Sequence, residues 1–241
     1  MVSLANLIRE PCMYVAIEGV IGVGKTTLAR LLSAAFESEI LLEIFEENPF
    51  LSDFYSDRER YAFQTQIFFL LSRYHQQRRT VPDLLAAGKS LISDYTFAKD
   101  ALFARINLKG DELEMYYKVH EALGEKIPKP GLTVYLRADT DVLMQRIALR
   151  DRSYERNMER DYIDRLNHAY EDFFSKPKDS APVLIIDTNP LNIIQNPEHL
   201  KLIENRIREK LDISPFQPSL PLNNSMHEAK PERDASVKKQ D

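Results

Sequence analysis

Five short runs of apolar residues alternate along the chain with longer segments in which apolar and polar positions follow helical spacing. The runs cover residues 14–19, 40–45, 90–94, 132–136 and 182–187. Each run is almost continuously hydrophobic, which is typical of parallel strands that helices cover on both faces. The pattern therefore predicts an α/β fold with a five-stranded parallel sheet and helices on both of its faces.

The longest of the intervening segments, residues 57–88, predicts one long helix. Its core-facing positions at helical spacing are Phe63, Ile67, Leu70, Leu71 and Tyr74. Pro82 lies inside this segment and is expected to break or kink the helix, because proline has no main-chain N–H to donate. Further helices are predicted over residues 97–107, 111–124, 140–150, 160–175 and 192–210.

Composition and charge narrow the classes of partner. The 241 residues carry a net charge of -5, which argues against binding to nucleic acid or to anionic membranes, since clustered Lys and Arg bind both.

We expect one domain over residues 1–212 and a disordered, proline-containing tail over 213–241. The single cysteine, Cys12, excludes an internal disulfide framework, and we expect it to be buried beside the first strand. No apolar stretch of about 18 residues and no secretory leader is recognisable, which favours the cytoplasm.

A phosphate-binding motif follows the first predicted strand. The segment "GVIGVGKT", residues 19–26, fits G-x-x-x-x-G-K-[ST], with a strand before it and a helix after it. Lys25 is expected to reach the β and γ phosphates of ATP or GTP, and Thr26 to hold Mg²⁺. A glycine-rich turn with an incidental lysine is the alternative, which the complete motif in its proper context disfavours. The predicted nucleotide-binding residues here are Gly19, Val20, Ile21, Gly22, Val23, Gly24, Lys25, Thr26 and Thr27.

Two carboxylates follow the next two predicted strands. Glu43 lies near the end of the second predicted strand, and Asp94 is the last residue of the third. The carboxyl ends of parallel strands form the ligand-binding edge of such sheets. A carboxylate there can accept the proton of an acceptor hydroxyl or hold Mg²⁺ through water. Glu46 and Glu47 lie beyond the strand and are expected to face solvent.

Three side chains of the long helix are candidates for binding a flat acceptor group. Gln66, Phe69 and Arg73 follow one another at i, i+3 and i+7, so that they share one helix face over about 10 Å. The face would present an amide, an aromatic ring and a cation. In the alternative interpretation, Gln66 and Arg73 form the solvated side of an amphipathic helix and Phe69 belongs to the core.

The motifs together resemble one family. The succession "EGVIGVGKTT", "EIFEENPFLSDFYSDRERYAFQTQIFFLLSR", "SDYTFAKD" and "LRDRSYE", over residues 13–190, is similar to the deoxynucleoside kinases, especially the bacterial deoxyadenosine and deoxyguanosine kinases. The resemblance implies a P-loop kinase fold with an arginine-bearing lid, ATP and Mg²⁺ as cofactors, a homodimer, and 5′-phosphorylation of a deoxynucleoside in nucleotide salvage. It places the family's catalytic glutamate on Glu43, with Asp94 as second candidate base or as an aid to Mg²⁺.

The resemblance also implies roles for residues on the acceptor and lid sides. Tyr55 and Glu155 would bind the 3′-hydroxyl of the sugar, and Gln66 would pair with the base. An arginine and an aspartate at the places of Arg73 and Asp100 accompany purine or cytosine recognition, so deoxyadenosine, deoxyguanosine or deoxycytidine is expected over thymidine. A purely structural ion pair between helices remains the alternative for these two residues. The lid arginines that would close on the ATP phosphates are Arg146, Arg150 and Arg152, and Arg150 joins Lys25 among the catalytic cations.

The chain departs from the family pattern at two places. Ile44 stands where a proline is usual, and Tyr95 stands after Asp94 where the family commonly has an arginine. Lys99 or Arg152 could supply the missing cation. Two other functions stay open on sequence alone. One is a nucleoside monophosphate kinase, which would need extra cations for the phosphate of its acceptor, and the other is a non-catalytic nucleotide-dependent regulatory module.

Overall fold

The computed structural model describes residues 12–175 and 182–213. Apart from its first residue, the tail expected to be disordered lies outside these described residues. The strands are β1 (Tyr14–Gly19), β2 (Glu39–Leu41), β3 (Leu91–Ser93), β4 (Leu132–Arg137) and β5 (Val183–Asp187). The helices are α1 (Lys25–Ala35), α2 (Leu51–Ser56), α3 (Arg58–Ala86), α4 (Lys99–Asn107), α5 (Gly110–Gly124), α6 (Thr140–Arg150), α7 (Arg160–Ser175) and α8 (Pro197–Lys210).

The five described strands form one parallel sheet in the order β2-β3-β1-β4-β5. Neighbouring residues of β1 contribute to two different apolar clusters, as expected for a strand buried on both faces. Ile17 belongs to the cluster that contains Leu28 of α1, whereas Ala16 belongs to the cluster that contains Val81 of α3. The predicted α/β fold, with a parallel sheet between helices, is therefore confirmed.

The strand order determines where ligands can bind. The connection after β1 leads to β2 on one side of the sheet, whereas the connection after the neighbouring β3 leads to β4 on the other side. A crevice opens where these two connections diverge, at the carboxyl ends of β1 and β3. The loop after β1, the segment after β2 and the segment after β3 all meet at this edge. These are the places of the phosphate-binding motif, of Glu43 and of Asp94.

Several local predictions were wrong. Cys12 is exposed, because it lies two residues before β1 and outside the sheet. Leu71 is 40% exposed, since it is turned about 100° round the helix from the fully buried Leu70. Helix α3 is not broken at Pro82, whose side chain is exposed to solvent, whereas the kink expected there stays a prediction.

Capping residues explain two helix boundaries that differ from the predicted ones. Asp57 separates the short helix α2 from α3, and its side chain accepts a hydrogen bond from the main-chain N–H of Arg60 at 3.3 Å. The last helix begins at Pro197 and not at residue 192, because the side chain of Asn196 accepts from the N–H of Glu198 at 3.0 Å. Proline in the first helical position is compatible with this start.

The core between α1 and the sheet should dominate stability. We predict that Leu28→Ala lowers the free energy of unfolding by about 2–5 kcal/mol, because Leu28 is fully buried and the substitution leaves a cavity. Leu149→Ala is the matched control, since Leu149 lies in a helix and is 86% exposed. Urea unfolding followed by circular dichroism measures both. Equal losses in the two variants would contradict this account of the core.

Candidate active site

The phosphate-binding loop connects β1 to α1 and packs tightly against β4 and α6. Gly22 has φ 89°, and a Cβ atom there would lie 2.8 Å from Cγ1 of Ile147 and 2.9 Å from the carbonyl oxygen of Leu143. Gly19 has φ 149°, and its Cβ would collide with the carbonyl oxygen of Leu136. Only glycine fits both positions, so the loop keeps a backbone cradle at the N-terminus of α1.

Lys25 lies across this cradle. Its Nζ donates to the carbonyl oxygens of Gly19 at 2.7 Å and of Val20 at 3.1 Å. Burial, followed by repulsion from Lys99, lowers the pKa of Lys25 to about 8. The ammonium thus lies where phosphates would bind, and an anion bound there would raise the pKa of Lys25.

Asp94 connects the phosphate loop to the acceptor side. One carboxylate oxygen accepts from the hydroxyl of Thr26 at 2.6 Å, and the other accepts from the main-chain N–H of Glu43 at 2.8 Å. Asp94 is buried, and both of its oxygens are used. The two residues expected to hold Mg²⁺, Thr26 and Asp94, are therefore adjacent, and Asp94 also positions the chain at Glu43.

The carboxylate of Glu43 lies between two cations from different helices. One oxygen accepts from the guanidinium of Arg73, including Nε at 2.9 Å, and the other accepts from Nζ of Lys99 at 2.6 Å. Burial favours the neutral acid, but the charges of Arg73 and Lys99 outweigh it and lower the pKa of Glu43. Glu43 is therefore ionised over the whole working pH range. In contrast, Glu46 and Glu47 are exposed in a turn, as expected.

Arg73 continues this network towards the expected base-binding face. Its guanidinium forms an ion pair with the fully buried Asp100 and lies 4.7 Å from the ring centre of Phe69. Gln66, two turns earlier on α3, is also buried and lines the same pocket, and its amide makes no hydrogen bond to another described residue. The interpretation of this face as solvated is wrong, because Gln66 and Arg73 are both buried. Asp100 lies behind Arg73 and does not itself line the pocket.

The lid side contains a second carboxylate between cations. Glu155, in a 3-10 turn spanning Ser153–Glu155, accepts from Nε and Nη2 of Arg150 at distances of 2.6 to 3.1 Å. Arg152 lies 3.7 Å from the same carboxylate. Arg146 instead donates to Thr188 at 2.8 and 2.9 Å and to the carbonyl oxygen of Val23 at 3.4 Å. Arg146 thus connects the phosphate loop to the segment after β5.

One pocket brings most of the predicted residues together, and the remainder lie around it. The predicted residues that line it are Ile21, Gly22, Lys25, Thr26, Glu43, Tyr55, Gln66, Phe69, Arg73, Asp94, Arg150, Arg152 and Glu155. The predicted residues outside its lining are Gly19, Val20, Val23, Gly24, Thr27, Asp100 and Arg146. Val20 and Val23 have side chains buried in the core, so only their main chain can face a phosphate.

Sequence reasoning missed an aromatic wall of the pocket. Tyr154 stacks on Tyr55 at 6.0 Å between ring centres and lies 6.2 Å from Phe45. Both missed residues, Phe45 and Tyr154, line the pocket. The sequence feature that could have identified them is an aromatic residue inside "EIFEENPF" and another directly before Glu155. Burial raises the pKa of Tyr55 well above its ordinary value, so its hydroxyl remains a hydrogen-bond donor.

Glu18, near the end of β1, was also missed. The residue is fully buried, and one carboxylate oxygen accepts from the main-chain N–H of Thr96 at 2.5 Å and from its hydroxyl at 2.8 Å. The other oxygen is 3.3 Å from the N–H of Gly19. Glu18 thus joins the start of the phosphate loop to the segment after β3. A lone acid inside an apolar run gives no hint of which segment it contacts.

Comparisons with known proteins agree with this geometry. Residues 15–212 match the family model described as deoxynucleoside kinase. The chain belongs to the deoxynucleoside kinase family. It is 35% identical to the deoxyguanosine kinase of Bacillus subtilis (strain 168) over 199 residues, which cover 81% of this chain and 96% of that protein. It is 31% identical to the deoxyadenosine kinase of Dictyostelium discoideum over 179 residues, covering 72% and 71% of the two chains.

A solved structure gives the same result for the fold. Deoxyadenosine kinase from M. mycoides, with the products dCMP and a flexible dCDP bound, matches with a TM-score of 0.71 and 26% identity. The match covers 82% of this chain and 99% of that one. This deoxynucleoside kinase is accordingly a nucleotide-binding phosphotransferase of nucleotide salvage. A monophosphate kinase and a non-catalytic module are not favoured.

We predict that ATP binding to this deoxynucleoside kinase takes up protons at alkaline pH. With a pKa of about 8 in the free protein, Lys25 is mostly neutral at about pH 9, and the bound triphosphate raises that pKa. ATP affinity should therefore be full below the pKa of Lys25 and fall as the pH rises through it. Titration calorimetry at about pH 9, in two buffers of different ionisation enthalpy, should give different apparent enthalpies.

The control is Lys89→Met, which removes a half-exposed lysine paired with Glu39 on the surface. This variant should take up protons as the parent does. Equal apparent enthalpies for the parent in both buffers would contradict the role of Lys25.

Proposed function

We propose that this deoxynucleoside kinase transfers the γ-phosphoryl group of ATP to the 5′-hydroxyl of deoxyadenosine, deoxyguanosine or deoxycytidine, in preference to thymidine. The observation that supports it is the guanidinium of Arg73, which pairs with both Glu43 and Asp100 at the end of the pocket that contains Gln66. Relatives named as deoxyguanosine and deoxyadenosine kinases support the same acceptor class.

The base preference rests on hydrogen-bonding chemistry. Adenine and cytosine each combine an exocyclic amino donor with a ring-nitrogen acceptor, and the amide of Gln66 offers the complementary acceptor and donor. Arg73 adds fixed donors that suit ring nitrogens and the guanine carbonyl. Thymine has a carbonyl group where cytosine has its amino group, and it adds a methyl group at C5. Burying that methyl against a charged, hydrogen-bonded guanidinium is unfavourable.

Glu43 is the residue that we propose to bind and deprotonate the 5′-hydroxyl. Its low pKa makes it a weak base, which suits phosphoryl transfer through a loose transition state, where the hydroxyl proton leaves late. Its first contribution is then orientation of the acceptor oxygen, and its second is acceptance of the proton. Asp94 has both oxygens occupied by Thr26 and by the N–H of Glu43, and so is the weaker candidate for the base.

Thr26 and Asp94 are the residues that we propose to hold Mg²⁺. A hydroxyl and a carboxylate are oxygen donors of the kind that Mg²⁺ prefers, and their 2.6 Å contact brings them to one point beside the cradle. The described residues contain no cluster of three or more His, Cys, Asp or Glu that could hold a metal alone. The ion would depend on phosphate oxygens for its remaining ligands, and when bound it would neutralise charge on them.

Tyr55 and Glu155 are the residues that we propose for the 3′-hydroxyl of the sugar. The neutral phenol of Tyr55 is a donor, and the carboxylate of Glu155 is an acceptor, in the same pocket. The phosphates of ATP would be bound from the lid side by Arg146, Arg150 and Arg152. We further propose a single kinase domain over residues 1–212.

We also propose a cytoplasmic homodimer. Helix α5 offers the exposed side chains of Met115 and Tyr117 as part of a dimer surface. Among the described residues, no helix has the length and hydrophobicity needed to cross a bilayer. The surface charge gives no reason to expect nucleic acid as a partner.

The substrate preference is tested with the four deoxynucleosides, their ribonucleoside counterparts and their monophosphates. We predict turnover of deoxyadenosine, deoxyguanosine or deoxycytidine at a kcat/KM at least about tenfold above that of thymidine, which corresponds to about 1.4 kcal/mol. In Arg73→Met with Asp100→Ala the ratio should shift towards thymidine, while all rates fall because Glu43 loses one cation. Removing both partners together avoids leaving a buried charge unpaired. An unchanged ratio would contradict the base-reading role, and faster turnover of monophosphates would contradict the acceptor class.

Glu43→Gln tests the catalytic assignment. We predict a loss of kcat of about 10²–10⁴-fold with ATP affinity retained, because the amide keeps the shape but neither carries the charge nor accepts a proton. Steady-state kinetics and a nucleotide-binding titration measure the two quantities. Glu47→Gln, an exposed acid of the same segment, should behave as the parent. If Glu43→Gln turns over at the parental rate, Glu43 is not the base.

A further inference from the structure

The carboxylate of Glu43 lies between two cations, Arg73 and Lys99. We propose that Lys99, in the first turn of α4, is the positioning residue for Glu43, and that Tyr95 forms its support. The inference rests on the proposed function, in which Glu43 acts on the acceptor hydroxyl.

Contacts of the carboxylate carry the first step. Lys99 lies in the first turn of α4, is nearly fully buried, and its Nζ is 2.6 Å from Oε2 of Glu43. Arg73 occupies the other oxygen, Oε1. Two cations on two different oxygens fix the rotation of the carboxyl group about its last bond, so the plane of the carboxylate is set before any substrate binds.

The side chain of Tyr95 carries the second step. Its ring is fully buried, and Nζ of Lys99 lies 5.6 Å from the ring centre, so the ring can support the ammonium through a cation–π contact. The Tyr95 hydroxyl donates to Oε1 of Gln76, whose Nε2 donates to the carbonyl oxygen of Leu42 at 2.9 Å. The side chain at position 95 is thus directed towards the surroundings of Glu43, and its neutral ring lies against Lys99.

Arg152, the other cation considered, is engaged elsewhere. Its guanidinium lies 4.1 Å from the ring centre of Phe45 and 3.7 Å from a carboxylate oxygen of Glu155. Both contacts belong to the lid side of the pocket. The positive charge beside Glu43 therefore comes from Lys99 and Arg73.

Three variants and one control test the proposal. Lys99→Met should lower kcat about 10²-fold, as expected when a catalytic group loses its orientation, with KM for ATP changed less than about threefold. Lys99→Arg should keep at least a tenth of the parental kcat. Tyr95→Arg combined with Lys99→Met should recover at least tenfold over Lys99→Met, because it returns a positive charge to the surroundings of Glu43 from position 95. Lys89→Met removes a surface lysine and should equal the parent.

A second measurement separates positioning from folding. Melting temperatures verify that each variant is folded. Recovery by either arginine variant supports the proposal.

The proposal is overturned if Lys99→Met keeps kcat within threefold of the parent, or if both arginine variants are as slow as Lys99→Met. A parent protein that phosphorylates no deoxynucleoside would instead overturn the proposed function. The two failures are therefore distinguishable.

Discussion

The charge of Glu43, whose side chain is only 15% exposed, is the constraint on which the rest of the site depends. The carboxylate follows β2, while its partners Arg73 and Lys99 come from α3 and α4. A buried anion is tolerated only when it is paired, and loss of one partner typically costs about 3–5 kcal/mol. The three elements are therefore held in one arrangement, and the pocket between them has a defined shape before substrate enters.

The same guanidinium couples the two ends of the proposed acceptor site. Arg73 contacts Glu43 at the end proposed for phosphoryl transfer, and it contacts Asp100 and Phe69 at the end proposed for the base. A base that displaced Arg73 would also loosen Glu43, so poor recognition would reduce the rate as well as the affinity. Discrimination in kcat/KM can thus exceed what the contacts to the base alone would provide.

The sequence was sufficient wherever the signal is local or follows from strand ends. Near-continuous apolar runs predicted the parallel sheet, a contiguous motif predicted the phosphate loop, and the strand-end rule brought Glu43 and Asp94 to one edge. Contacts between distant segments were not predictable in this way. The choice of Lys99 over Arg152 depends on the direction of side chains that lie 56 and 109 residues beyond Glu43 in the sequence. The exposure of Cys12 depends on where the first strand begins, a boundary that hydrophobicity defines only approximately.

In the proposed function, Arg150 would bind phosphate without breaking its contacts to Glu155. Arg150 uses Nε and Nη2 to bind Glu155, and arginine has five N–H donors, so the two N–H groups of Nη1 remain for a phosphate. Glu155, the proposed sugar ligand, thereby holds the cation that would meet ATP. Binding of the sugar at Glu155 and of phosphate at Arg150 would then act on one ion pair, so that binding of one substrate would position the group that receives the other. A lysine at position 150 could not provide this, because its single ammonium lacks the separate donor faces of a guanidinium.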